Sequence, residues 1–89
     1  MRTFSRAGQF KKDVKRAARR GLDLSRLKKA LDALIEGNPL APEYRDHPLH
    51  GNWKGSRDCH IAPDWVLIYT LEKNHVCFER TGTHSDLFR

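Results

Sequence analysis

The stretch WVLIYTLEKNHVCFERTG, residues 65–82, decides the fold. Its first seven residues are nearly all apolar, as in a central strand covered on both faces. Lys73-Asn74 suits a tight hairpin turn, and residues 76–81 alternate as a half-buried strand does. A two-residue turn makes Glu72 face His75, Tyr69 face Phe78 and Leu67 face Arg80. A slip of one residue sends Arg80 to the other face.

Upstream, Ala62-Pro63-Asp64 breaks this strand from a shorter candidate at residues 56–61. Residues 38–55, NPLAPEYRDHPLHGNWKG, hold three of the four prolines and two glycines, a loop composition. Two amphipathic helices precede the loop. Phe10, Val14, Ala17 and Ala18 recur at helical spacing after a cap at Ser5, and Gly21 suits the stop. Leu24, Leu27, Leu31 and Leu34 form the second stripe, with Asp23 as cap and Gly37 and Pro39 as the end. Residues 1–4 suit an edge strand. The expected architecture is α+β: two N-terminal helices packed on a small, largely antiparallel sheet, with residues 1–89 as one domain.

Charge is unevenly spread. Residues 1–30 carry eleven of the 17 Lys and Arg against Asp13 and Asp23, whereas the remainder carries six basic and nine acidic residues. Lys11, Lys12, Lys15, Arg16, Arg19 and Arg20 therefore form a candidate face for a polyanion or an acidic protein, unless they merely solvate the helix. No apolar run approaches the roughly 20 residues that span a bilayer, and the start is no signal peptide, so a cytoplasmic protein without membrane contact is expected. Cys59 and Cys77 lack metal-ligand spacing and read as reduced, packed thiols.

In a meander, alternate turns lie at opposite ends of the sheet, a seven-residue strand or roughly 23 Å apart. The strand after Lys73-Asn74 thus returns to the Pro63 end, where His84 comes level with His60 and Asp64. His60, Asp64, Trp65, Arg80 and His84 converge on one edge from two separate segments. Two imidazoles, a carboxylate and a guanidinium supply a proton acceptor, a proton donor and a cation, the parts needed to cleave RNA without a cofactor. Blander readings stand beside this one. Trp65 packs equally well in a core, Arg80 can pair with Asp64 or Glu79, and His60 can cap a strand. His60, Asp64 and His84 could also hold zinc, although no ligand spacing supports a metal.

The string DHPLHGNWKGSRDCHIAPDWVLIY, followed by FERTGTHSDLF, resembles the YafQ group within the RelE/ParE superfamily of bacterial type II toxins. The resemblance covers nearly the whole chain and implies a RelE-like fold. It also implies a ribosome-dependent mRNA endoribonuclease, silenced by a cognate antitoxin. Its partners would be that antitoxin, the ribosome and mRNA, with operator DNA reached only through the antitoxin complex. The group's functional positions fall on His47, His60, Asp64, Trp65, Arg80, His84 and Phe88, none of them altered. The implied roles are His84 as acid, Arg80 as transition-state cation, Asp64 or His47 as base, and His60 as orienting group. Trp65 and Phe88 stack on the substrate or support the site, while His50 and His75 lie outside the set as solvated residues. The rivals are a gyrase-poisoning toxin of the ParE branch, which needs no such set, and a basic nucleic-acid-binding module without turnover.

Overall fold

The computed structural model describes residues 1–88, so the last residue of the expected domain lies outside the description. In chain order the elements are β1 (Thr3–Arg6), α1 (Gly8–Arg19), α2 (Leu24–Glu36), β2 (His47–Pro48), β3 (Arg57–Ala62), β4 (Trp65–Glu72), β5 (His75–Gly82) and α3 (His84–Leu87). Short 3₁₀ turns at Pro42–Tyr44 and Gly51–Trp53 punctuate the long loop. The five strands lie in the order β1-β5-β4-β3-β2, antiparallel except where β1 runs parallel to β5. No helix among the described residues is long and apolar enough to cross a membrane.

Helices α1 and α2 cover one face of the sheet. Phe10, Ala17, Leu27, Ala30 and Leu34 pack there on Leu67, Tyr69, Val76 and Phe78, all nearly inaccessible. Val66 and Ile68 project to the other face, where they meet Leu87, Leu49 and Trp53. The unbroken apolar run of β4 thus has a reason on each side. Each such side chain contributes about 1.5–3 kcal/mol when fully buried. The α+β reading is the observed one, with helices on one face of the sheet and a third, four-residue helix on the other.

Local chemistry sets the boundaries. Asp23 accepts the Ser25 amide and starts α2 as expected, while Gly21 and Gly37, at φ 78° and 80°, turn the chain out of the two helices. The cap expected at Ser5 is not observed: α1 begins after Ala7, because residues 3–6 are taken up by pairing with β5. The Ser5 hydroxyl instead meets His75 Nε2 at 2.9 Å, and Thr3 Oγ1 meets Nδ1 at 2.7 Å. His75 is therefore a clasp between β1 and β5 and not a solvated turn residue. The proline-rich loop conceals β2, two residues long, held because Tyr69 Oη donates to Asp46 and Arg57 grips the same carboxylate at 3.3 Å. Burial, then the bond to Asp46, raises the Tyr69 phenol far above its ordinary range, so it remains a donor. Both cysteines are free, and burial pushes the Cys59 thiol up to about 12.

The hairpin register holds at Glu72 with His75 and Tyr69 with Phe78, then slips. A bulge after Phe78 pairs Arg80 with Ile68 and Thr81 with Leu67. An extra residue in one strand is invisible to a count from the turn.

Candidate active site

The pairing that builds the sheet also builds a row of polar side chains on the face away from α1 and α2. His47 pairs with Asp58, Asp58 with Ile68 and Ile68 with Arg80; His60 pairs with Val66 in the next row. Directly opposed residues share a face, so β2 and β3 present His47, Asp58 and His60 together. The His47 and His60 rings are stacked with centroids 6.4 Å apart, and the His60 and His84 rings are 5.3 Å apart. Phe88 closes the row, its ring centroid 6.1 Å from that of His84. His47, His60, His84, Asp64 and Phe88 are thus brought together, and for His60, Asp64 and His84 this is the convergence that the alternation of strands predicts.

His84 is held from below. Its Nδ1 lies 2.7 Å from Asp64 Oδ1, and its backbone amide donates to the same oxygen at 3.1 Å. A carboxylate only accepts, so Nδ1 carries the proton and Nε2 is left to exchange one with a ligand. The bond from the His84 side chain, then that from its amide, holds the Asp64 carboxyl below its usual range. Asp64 is spent on His84 and is not free to act as a base.

Helix α3 carries His84, and four residues are too few to be helical alone. Thr83 and Asp86 form a reciprocal capping box, with Thr83 Oγ1 accepting the Asp86 amide and Asp86 accepting the Thr83 amide. Arg20 donates to Asp86 at 2.8 Å and Arg16 lies 3.5 Å away. The Arg20 bond, with the Thr83 amide next, drives the Asp86 carboxyl well below the ordinary carboxylate range. Gly82 is required by this approach, since a Cβ there would sit 2.9 Å from Asp86 Oδ2 and 3.1 Å from Arg16 Nη2. Two members of the expected basic face are therefore structural: Arg16 and Arg20 tie α1 to the site, leaving Lys11, Lys12, Lys15 and Arg19 exposed without carboxylate partners among the described residues.

Two residues of the expected set stand apart. Trp65 is 3% exposed and its Nε1 donates to Thr81 Oγ1 at 2.9 Å, so it supports the core and offers no stacking platform. Arg80 pairs with neither Asp64 nor Glu79. Its Nε and Nη2 donate to the buried Asp13 at 2.7 and 3.2 Å. At about 4.8 Å between strands, Arg80 stands roughly 10 Å across the row from Asp58 and 14 Å from His47.

Asp58 is the residue that sequence reasoning missed. It is 3% exposed, and its Oδ1 lies 3.0 Å from His47 Nε2, at ion-pair distance though out of hydrogen-bond alignment. His47 Nδ1 lies 2.7 Å from the Arg45 carbonyl and must be the protonated nitrogen, so Nε2 gains a proton only in the imidazolium. Burial raises the Asp58 carboxyl above its ordinary 3.8, with His47, His60 and His84 pulling it part of the way back. The signal was available: Asp58 and His60 are two apart on a strand and so share a face. His60 Nδ1 is likewise buried without a hydrogen-bond partner among the described residues. Among those residues no three His, Cys, Asp or Glu side chains are placed to share a metal ion.

A raised folded-state carboxyl favours the fold while protonated. That contribution is complete below pH 3.8 and is lost as pH rises through the folded value. Asp58→Asn cannot ionise, so its stability relative to the parent should improve between pH 3 and pH 7, in urea titrations at each pH. A relative stability that worsens over that range contradicts the desolvation argument.

A profile described as "Bacterial toxin of type II toxin-antitoxin system, YafQ" matches residues 2–89. The chain is 50% identical over 88 residues to the mRNA interferase toxin YafQ of Escherichia coli K12, covering 98% of this chain and 96% of that one. It superposes on the crystal structure of YafQ from E. coli BL21(DE3) with a TM-score of 0.96 and 48% identity, with full coverage of both chains. The E. coli DinJ–YafQ toxin–antitoxin complex gives a TM-score of 0.93 and 49% identity over 99% of this chain and 98% of that one. Family match, near-complete coverage and a superposable fold agree: this chain belongs to the YafQ family of bacterial type II toxin–antitoxin toxins.

Proposed function

We propose that this toxin is an endoribonuclease that cleaves mRNA on the ribosome by acid–base catalysis and so stops translation. The observation that carries the reading is the imidazole row, with three rings at 5.3 and 6.4 Å spacing and His84 oriented by Asp64. The ribose 2′-oxygen attacks its own 3′-phosphorus, the bond to the 5′-oxygen breaks, and a 2′,3′-cyclic phosphate and a 5′-hydroxyl result. His84 gives the proton to the departing 5′-oxygen through Nε2. The stacked His47 and His60 act jointly as the base, with Asp58 offsetting the charge they acquire. Arg80, fixed by Asp13, supplies positive potential at the end of the row as phosphorane charge develops. Phe88 bounds the site beside His84.

The relative's complex with DinJ supports a cognate antitoxin as partner for this chain. Lys11, Lys12, Lys15 and Arg19 offer ribosomal RNA an exposed cationic strip, and operator DNA is reached only through the antitoxin complex. The proposed place of action is the cytoplasm, where translating ribosomes are, and the chemistry asks for no cofactor.

Programmed ribosomes incubated with the toxin should yield fragments with 5′-hydroxyl and cyclic-phosphate ends, with or without chelator. The same mRNA without ribosomes should stay intact. Arrested growth with DNA breaks and uncut mRNA would instead indicate the gyrase-poisoning branch.

A further inference from the structure

One cavity is not used by the mechanism above. A cleft of about 440 Å³ opens between α2, the turn at Pro42–Tyr44 and residues 60–63 at the end of β3. Arg26, Lys29 and Arg45 line it, with Glu43 as the single carboxylate and His60 at the border with the imidazole row. Its volume is within the usual range for small-ligand sites and is ample for one nucleotide.

Its cations differ from those that the fold ties down. Arg16, Arg20, Lys28, Arg57 and Arg80 are each tied to an aspartate. Arg26, Lys29 and Arg45 are all exposed, and none holds a carboxylate in an ion pair among the described residues. Three uncommitted cations around one concavity are complementary to a polyanion, and guanidinium suits phosphate because its donors form a planar fork. The β3 edge is open here, because β2 pairs only with Arg57 and Asp58 and stops short of His60. A strand whose scissile phosphate sits over His60 meets this cleft as it leaves the row.

We propose that the cleft is an RNA subsite: Arg26, Lys29 and Arg45 hold the phosphate of a nucleotide adjoining the scissile linkage, and Tyr44 offers its ring to the base. Stacking of an unpaired base on an aromatic ring with flanking cations is the common way to bind single strands without reading sequence. The proposal rests on the endoribonuclease reading for the direction of the strand, but binding tests it separately from cleavage.

The probe is a short single-stranded 2′-O-methyl oligoribonucleotide, which cannot be cut, followed by fluorescence anisotropy over a salt series. In Arg26→Gln/Lys29→Gln the slope of log affinity against log salt should shrink by about 0.7, the share of the one phosphate that the cleft neutralises. Affinity at the lowest salt should fall several-fold. Arg6→Gln/Lys73→Gln removes the same charge from exposed positions away from the cleft and should leave most of the slope intact. Equal losses in the two double variants, or no binding by the parent at the lowest salt, overturn the subsite. So does a cleft variant that keeps RNA binding but loses capture of the antitoxin, since the cleft then belongs to an acidic peptide. A parent that binds the probe with the expected slopes yet cuts no ribosome-bound mRNA leaves the subsite standing and removes the endoribonuclease reading instead.

Discussion

His84→Ala is expected to lower cleavage of ribosome-bound mRNA by about 10²- to 10⁴-fold, the usual contribution of one positioned proton donor. The loss should fall on the chemical step and not on ribosome binding. The His84 side chain is 48% exposed, and the rings beside it are those of His60 and Phe88. Helix α3 keeps its capping box, its ties to Arg16 and Arg20, and the buried Leu87 without the imidazole. A folded protein with intact ribosome affinity and a slow single-turnover rate is the expected result. Asp64→Asn provides the graded comparison. It keeps an acceptor for Nδ1 but removes the negative charge that steadies the imidazolium, so its defect should be smaller and should change the shape of the pH–rate profile. Cleavage by His84→Ala at the parental rate would remove His84 as the acid and return that role to another member of the row.

The largest effect on stability is expected on the other side of the sheet. Asp13 is 1% exposed and accepts from Gln9, Arg16, Arg80 and the Thr81 amide. The last of these matters because β1 pairs no further along β5 than Phe78. Beyond that point Asp13 takes the place of a neighbouring strand. Asp13→Ala leaves a buried amide unpaired and the Arg80 guanidinium, with a side chain only 22% exposed, without its counter-charge. Breaking one partner of such a pair costs about 3–5 kcal/mol, a large part of the roughly 5–15 kcal/mol that holds a small domain together. Urea unfolding should show this as a shifted midpoint with little change in slope. A loss below about 1 kcal/mol would mean that Asp13 only fills space. Asp13→Asn retains an acceptor without the charge and should fall between the two. Its residual activity then reports whether Arg80 acts through its position.

The two predictions concern residues of different legibility. His84 lies in a recognisable string and at a calculable distance from a turn, so its meeting with His60 could be read from the alternation of strands. Asp13 gave no such sign. It is one of two acids in a basic segment, and nothing local shows that α1 will lay it against the unpaired edge of β5. Asp58 falls between these cases. Its face was deducible from His60, but its burial and its contact with His47 depend on a two-residue strand inside a loop whose prolines argue against any strand.

Arg80 illustrates a second kind of limit. Its assignment to the set rests on a sequence match, and its placement relied on a register counted outward from Lys73-Asn74. One inserted residue after Phe78 moved every later partner by one and set Arg80 opposite Ile68, while its guanidinium reaches Asp13 at the edge of β5 that β1 leaves open. Likewise, composition marked six cations on α1 as a single surface. Packing divided them, because Arg16 and Arg20 face α3 while Lys11, Lys12, Lys15 and Arg19 face solvent.

By itself the sequence determined the two long helices with the stripe each buries, the strands other than β2, and the gathering of His60, Asp64 and His84 at one end of the sheet. Those follow from periodicity and turn length, which are properties of neighbours in the chain. Tertiary structure alone decided which charges are free and which are spent. It gave Asp64 to His84, Asp13 to Arg80 and Asp86 to Arg20, and left Arg26, Lys29 and Arg45 around a cleft with no ion pair among the described residues. The reason is physical: an ion pair depends on distances of a few ångströms between residues as many as 67 positions apart, and no local pattern encodes such a distance.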